Sequence, residues 1–421
     1  MAEKESALLT NKHVLLYTTD QITNNAEVEY IKNNFCGIVC KMESLNENNG
    51  NNYSSDIIMY LCGDIEKNYN EIKNKPKLIN VIKELSYNYS DDEHHYELIN
   101  IGQVPINVHN VGVYFRTLFN SDKDYFNSIN NEHQFQALTE SNKPNDAFRK
   151  GIYLTKVEQN DTDDTEIKFK LLRCSSNLHG PTDNFRDSDN EVVNHVNDVA
   201  DHFFENKADM NHVLAQIYEN KIVNTGTKFV ERKAKIKEHS DKTKDMPKNG
   251  LIAFCTFYKD YSNEKFNNLG HIAKSKVDSY DYCFKNVSVL TKIRFRLKKM
   301  VIDETLKKVF DVVLYPNSVF IISLLTNRLY THEIIPSQLP IDKLPIRMGY
   351  VIRCSNVESI FKNNQTYINE NGNLIKLEKP NVNGKKELKD LYFKENVTDE
   401  VINYNKFYFS LNDGDYEKPI M

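Results

Sequence analysis

The sequence predicts an α+β protein in which short antiparallel strands build a sandwich or barrel, preceded by a small α/β unit. Three observations carry this reading. Beyond about Pro105 the apolar residues fall into many short runs separated by polar turns, with little helix between them. One long stretch, Asp189–Phe204, has helical spacing. The first hundred residues differ in texture, with continuous apolar runs broken by long polar stretches.

In that first unit, expected over 1–104, His13-Val-Leu-Leu-Tyr-Thr and Ile57-Ile-Met-Tyr-Leu-Cys read as strands, and Lys75–Leu85 has the spacing of a helix. Ser44–Ser55 and Tyr87–His95 read as loops. The main domain is expected over 105–369. Its strands begin with Val111-Gly-Val-Tyr-Phe, Gly151-Ile-Tyr-Leu-Thr, Ile167–Leu172 and Ile222-Val. On the predicted helix, Val192, Val196, Val199 and Phe203 form one stripe; His195 and His202 border it as a polar flank rather than as ligands. Further strands follow at Lys233–His239, Leu251–Tyr258, Ser288–Leu297, Val309–Leu314, Ser318–Leu325 and Met348–Cys354. The Lys/Glu/Asn-rich residues 370–421 are expected to pack on the core as an appendage.

Composition works by exclusion. Hydrophobic residues at 40% and charged residues at 27% provide for a sizeable core, so wholesale disorder is excluded. Roughly one residue in eight is Asn, which reads as an AT-rich coding background. A net charge of −5 rules out a tail-driven nucleic-acid binder, so a charged substrate must meet a local basic patch. With 14 Gly in the chain and no Gly-rich loop, phosphate-cradling nucleotide motifs are excluded. No apolar run approaches the roughly 20 residues that span a bilayer, and the Met1-Ala-Glu-Lys-Glu start lacks the order of a signal peptide. Seven scattered Cys imply reduced thiols in an intracellular setting, cytoplasmic or nuclear; Cys36 and Cys40 lack a second pair at zinc spacing.

The chemistry concentrates late in the chain. His239-Ser240-Asp241 follows an alternating stretch that reads as a strand, so its His and carboxylate point to one side. His332 follows the next long apolar run, in Asn327-Arg-Leu-Tyr-Thr-His332. Arg347-Met-Gly-Tyr-Val-Ile-Arg353 alternates and puts both arginines on one face with Gly349 and Val351. Two such arginines are costly unless each meets an anion. Two histidines and one carboxylate form the facial set that suits Fe(II) and leaves open coordination positions. An arginine fork suits the distal carboxylate of 2-oxoglutarate.

In these residues the chain resembles the Fe(II)/2-oxoglutarate-dependent dioxygenases, most closely the AlkB family. The Arg-x5-Arg strand and the Arg328-Leu329-x-x-His332 run carry that closer likeness. The resemblance covers roughly 111–356 and implies a double-stranded β-helix (jelly-roll) core at about 211–356 with flanking helices. It makes His239, Asp241 and His332 the iron ligands and gives Arg347 the 2-oxoglutarate carboxylate. Arg353 completes the anion site, and Tyr218 hydrogen-bonds the co-substrate. Gln216 stands where the family has Asn. The implied reaction converts 2-oxoglutarate and dioxygen to succinate while a substrate C–H is hydroxylated. Both histidines must be neutral to ligate, so activity should fall in acid. The gaps from Tyr218 to His239 and from Asp241 to His332 are longer than the family's; the second contains Asn263–Tyr282 and Thr291–Lys299.

The resemblance implies a methylated or alkylated base in single-stranded or damaged DNA or RNA as substrate, drawn out of its stack. Lys292, Arg294 and Arg296 alternate with apolar residues and predict a cationic strand face for phosphates. The Lys-rich 228–248 lies beside the proposed site, and Arg173–Phe185 lies where the family keeps a recognition lid. Hydroxylation of a protein or small molecule, and a catalytically inactive nucleic-acid-binding module, are the alternative expectations.

Overall fold

The computed structural model describes the chain except residues 1–4, 18–25, 43–55, 67–76, 90–95, 120–121, 141–142, 161–162, 175–176, 261–272, 275–277 and 405. For 143–145, 163–164 and 273–274 it describes the backbone alone. The protein is mixed α+β, mostly strands, and most of its sheets are antiparallel.

The first hundred residues carry a five-stranded sheet in the order Ile38–Lys41, His13–Tyr17, Ile58–Asp64, Leu78–Tyr87, Glu97–Ile99. Every pairing in it is parallel. Its central strands are buried along most of their length, as parallel strands are when both faces are covered. The helix expected over Lys75–Leu85 is instead the strand Leu78–Tyr87, with 75–76 outside the described residues. Its run Leu-Ile-Asn-Val-Ile fits a strand buried on both sides, which periodicity alone does not distinguish from a buried helix. The expected loop 44–55 also lies outside the described residues, as does 90–95 of the second. His13 ties this sheet to the rest: its ring stacks on Phe203, centroids 4.0 Å apart, and its Nε2 meets the His202 carbonyl at 2.9 Å.

The main body has two sheets packed face to face. The larger, nine-stranded, runs Asp183–Asn184, Lys143–Thr155, His212–Tyr218, Arg347–Arg353, Leu251–Tyr258, Ser318–Ser323, Gly112–Phe115, Ile106–Asn107, with Gln136–Glu140 added beside Lys143–Thr155. The smaller, four-stranded, runs Ile236–His239, Tyr330–Ile335, Lys292–Leu297, Val309–Val313. Phe254 and Phe320 of the larger sheet meet Phe295 of the smaller edge-to-face across the shared core. The helix Asp187–Phe203 covers the other face of the larger sheet with Val192, Val196 and Phe203; Val199 is half-buried. His195 is exposed and His202 half-buried, on the polar flank.

A five-stranded antiparallel sheet adds Val157–Asn160, Asp163–Leu171, Val357–Lys362, Gln365–Glu370 and Asn373–Lys376. The boundary expected at 369/370 falls inside the hairpin formed by the last two of these strands. Here the abundant Asn has a use: Asn363-Asn364 and Asn371-Gly372 form two-residue hairpin turns with φ positive at both positions. Asn tolerates that region, so the turns form in a Gly-poor chain. The C-terminal helix Val382–Val397 follows.

All seven cysteines are free. No helix among the described residues is long and apolar enough to cross a membrane.

Candidate active site

The strand Arg347–Arg353 sits inside the large sheet, so its alternation sorts residues between two buried faces. Met348, Tyr350 and Ile352 join the core on the helix side, and Tyr350 donates its hydroxyl to Asp189 Oδ1 at 2.7 Å. Arg347, Gly349, Val351 and Arg353 face the smaller sheet. Register lines them up with residues of both neighbours, which share the same face. Tyr218 and Tyr258 flank Arg347, Gln216 and Thr256 flank Gly349, and His212 and Ile252 flank Arg353.

The His-Ser-Asp segment enters from the edge of the smaller sheet. His239 ends its strand directly opposite His332, with ring centroids 4.5 Å apart. Asp241 lies just past the strand and is held by a reciprocal pair of bonds. Its N–H donates to Asn327 Oδ1 at 2.9 Å, and Asn327 Nδ2 donates back to the Asp241 carbonyl at 3.0 Å. Asn327 belongs to the short helix Leu324–Leu329, which Ser323 caps by accepting from the Thr326 N–H. Between His239 and Asp241, fully buried Ser240 donates its N–H to Asn396 Oδ1 at 2.8 Å and its hydroxyl to the Tyr330 carbonyl at 3.1 Å. The C-terminal helix thus helps to fix the loop.

One donor atom from each of His239, Asp241 and His332 lies within 4.8 Å of the others. Asp241 Oδ1 is 3.6 Å from His239 Nε2 and 4.0 Å from His332 Nε2. Its other oxygen, Oδ2, accepts from Arg353 Nε at 2.9 Å. Burial pushes the Asp241 carboxyl up, but the Arg353 guanidinium and then the two histidines overcome this and hold it well below the ordinary carboxylate value. Burial, followed by the neighbouring His239, lowers His332 to about 3, so its imidazole is neutral across the physiological range. His239 donates Nδ1–H to the Lys237 carbonyl at 2.9 Å, which leaves the Nε2 lone pair toward Asp241. Phe254 and Phe295 pack on the His332 ring with centroids 5.2 and 5.6 Å away.

At the far end of the same strand, the Arg347 guanidinium lies over the Tyr218 ring, 3.9 Å from its centroid. Arg347 is 3% exposed, and among the described residues its buried Nε and Nη2 have no hydrogen-bond partner. Tyr218 donates its hydroxyl to Gln216 Oε1 at 3.4 Å. A Cβ at Gly349 would lie 3.0 Å from Arg347 Nη1 and 3.3 Å from Tyr218 Cε2, so the missing side chain makes room for the guanidinium and the ring to pack there. The expected residues therefore gather between the two sheets, with Arg353 beside the His/Asp set and Arg347 with Tyr218 farther along its strand. Sequence reasoning missed Asn327 and Asn396, although Asn327 opens the run containing His332.

The cationic stripe is a different matter. Arg294 makes a fork to Asp311 at 2.6 and 2.9 Å, and Arg296 meets Glu333 at 3.1 Å and Glu238 at 3.5 Å. Lys292 is half-buried. In place of a uniformly cationic face the charges alternate, because the flanking strands set Asp311 and Glu333 opposite Arg294, and Arg296 reaches Glu333 and Glu238 diagonally. The segment expected as a lid begins in an anchor. Arg173 is buried, donates Nε and Nη2 to Asp245 at 3.0 and 2.7 Å, and bonds the Phe407 carbonyl. Residues 175–176 of that segment lie outside the described residues. The longer gap after Tyr218 forms the exposed hairpin Lys221–Asn224/Phe229–Arg232. Much of the second gap, 261–272 and 275–277, is outside the described residues.

A second set of metal-ligand residue types, Glu132, His133 and Asp189, is closed by its own bonds. His133 Nδ1 meets Asp183 Oδ2 at 2.8 Å and Nε2 meets Asp189 Oδ2 at 2.7 Å, so neither ring nitrogen has a lone pair to offer.

No protein-family model matches the chain, and no curated protein matches it. Among solved structures, the chain is similar to OsALKBH1 at 11% identity over 47% of this chain and 84% of the other, with a TM-score of 0.25. It is also similar to TqaL, an Fe(II)/α-ketoglutarate-dependent dioxygenase, at 7% identity over 60% and 76% of the two chains, with a TM-score of 0.24.

Proposed function

We propose that the protein is an Fe(II)- and 2-oxoglutarate-dependent dioxygenase that hydroxylates a substrate C–H. The observation that carries this is the pairing of two sites between the facing sheets. One is a His/Asp/His set with converging donor atoms; the other is a buried arginine that, among the described residues, pairs with no carboxylate. Two imidazoles and one carboxylate make a donor set suited to Fe(II). The Arg347 Nε and Nη2, which have no hydrogen-bond partner among the described residues, suit a carboxylate.

Iron, when bound, would supply the activation of dioxygen coupled to decarboxylation of 2-oxoglutarate. The chain's own contributions are separate. His239, Asp241 and His332 would hold the metal, while Arg353 keeps Asp241 ionised and turns Oδ1 toward the histidines. Arg347 would receive the distal carboxylate, with Tyr218 bracing the guanidinium from below. Phe254 and Phe295 shield His332 from water. Titration with Co(II) as a spectroscopic stand-in tests this arrangement. One ion per chain is expected, lost in His332→Ala, with 2-oxoglutarate binding lost in Arg347→Met. A protein that binds neither ion nor 2-oxoglutarate would be the inactive module instead.

For the substrate, we infer a methylated nucleic-acid base, supported by exposed basic residues leading to the site. Lys228, Arg232, Lys235 and Lys237 are exposed along the hairpin and the strand that ends in His239. Methylated single-stranded oligonucleotides should raise 2-oxoglutarate turnover. Turnover indifferent to every oligonucleotide would leave a protein or small-molecule hydroxylase as the reading.

A further inference from the structure

A second arginine shares the anion end of the site. Arg149 lies on the strand Lys143–Thr155, directly opposite Tyr218, which is itself directly opposite Arg347. In antiparallel pairing, opposed residues project from the same face, so Arg149, Tyr218, Arg347 and Tyr258 form one row across four neighbouring strands. With strands about 4.8 Å apart, the two arginine backbones stand about 10 Å apart, within reach of a common small ligand. Arg149 is 8% exposed and its buried Nε has no partner; among the described residues no carboxylate pairs with it. Two buried arginines are therefore in register on either side of one tyrosine, and among the described residues no carboxylate pairs with either.

The backbone beside Arg149 points the same way. Phe148 holds φ at +55°, a conformation costly for a bulky L-residue. It sits where the pairing of Lys143–Thr155 with Gln136–Glu140 shifts register, and such irregularities re-aim a side chain. In the next row inward Gly151 and Gly349 lie on either side of Gln216; Leu138 packs over Gly151, and the ends of Arg347 and Tyr218 pack beside Gly349.

We infer that Arg149 is a second co-substrate-binding residue, closing with Arg347 on the distal carboxylate of a 2-oxo dicarboxylic acid. This rests on the 2-oxoglutarate reading above and adds a specificity. The pocket should favour a dicarboxylate strongly over a 2-oxo acid of the same length that ends in a methyl group, because two desolvated arginines would otherwise lack an anion.

Calorimetric titration of the Fe(II)-loaded protein without oxygen, using 2-oxoglutarate and 2-oxopentanoate, tests this. In Arg149→Gln the Kd for 2-oxoglutarate should rise on the order of tenfold to a hundredfold, as expected for losing a charge-assisted bond. The Kd for 2-oxopentanoate should change less than about twofold, and the metal stoichiometry should stay at the wild-type value. Arg149→Lys, which keeps the charge without the fork, should fall between. Unchanged 2-oxoglutarate affinity in Arg149→Gln, or equal weakening of both acids, would overturn the inference and leave the co-substrate reading standing. Wild-type protein that binds metal but not 2-oxoglutarate would overturn both.

Discussion

Arg353 donates Nε to Asp241 Oδ2 at 2.9 Å, leaving Oδ1 as the oxygen that faces His239 and His332. Both partners are buried, so the arginine orients the carboxylate and also keeps it ionised. Removing one member of a buried pair strands the other. Arg353→Met should therefore lower the stability of the metal-free protein by about 3–5 kcal/mol. Urea unfolding measures this, and a loss below about 1 kcal/mol would show that the pair is dispensable.

Asn327 grips Asp241 by both its N–H and its carbonyl, without touching the proposed ligand atoms. Asn327→Ala should leave the protein folded while weakening metal binding about tenfold to a hundredfold, the usual effect of losing a group that orients a ligand. Competition with a chelator of known affinity reads this out, and wild-type affinity would contradict it.

Gly349→Ala should act at the other end of the site. The new Cβ would press on the mobile end of Arg347 and on the Tyr218 ring. The guanidinium would be displaced from its place over the Tyr218 ring. We expect 2-oxoglutarate affinity to fall at least about tenfold with metal affinity unchanged, and equal loss of both would point to general misfolding.

His133 supplies a pH dependence remote from the site. Burial opposes its charge, but hydrogen bonds to Asp183 and Asp189 outweigh it and raise the pKa from 6.5 to about 9. A value raised by folding means that the stabilisation is fully present below about pH 6.5 and is lost as the pH climbs through about 9. Wild-type stability should decline across that window. His133→Gln should be less stable at neutral pH by about 3 kcal/mol and should lack the decline; a variant that keeps it would assign the dependence elsewhere.

The basic residues divide into paired and exposed sets. Arg294 is already chelated by Asp311, so Arg294→Ala should change oligonucleotide affinity little. Lys235→Ala and Lys237→Ala should each reduce the salt slope of binding by about one. Affinity measured between low and moderate salt distinguishes the two sets, and a dominant effect from Arg294 would restore the stripe as the contact surface.

These contrasts show what the sequence makes legible. The His-Ser-Asp run, His332 and the two arginines are visible because their spacing is local and because alternation along one strand fixes their shared face. Arg149 and Asn396 are not, since their relation to the site depends on register with strands or helices far away in the chain. The same holds for Arg294 and Arg296, whose acidic partners sit across the sheet. Short antiparallel strands such as Leu251–Tyr258 are legible from their apolar runs and polar borders. Leu78–Tyr87 is not, because its buried start, Ile79–Ile82, shows no period-two alternation and runs on into a polar, more exposed half, a pattern that periodicity alone does not separate from a helix. The Asn excess, which composition alone leaves as background, becomes meaningful at the positive-φ turns.

Succinate formation from 2-oxoglutarate, followed with and without Fe(II) in wild-type and His239→Ala protein, tests the central claim most directly. The predicted result is succinate that requires both iron and the intact histidine. Succinate that forms equally in His239→Ala, or no succinate from iron-loaded wild-type protein under any substrate, would contradict it.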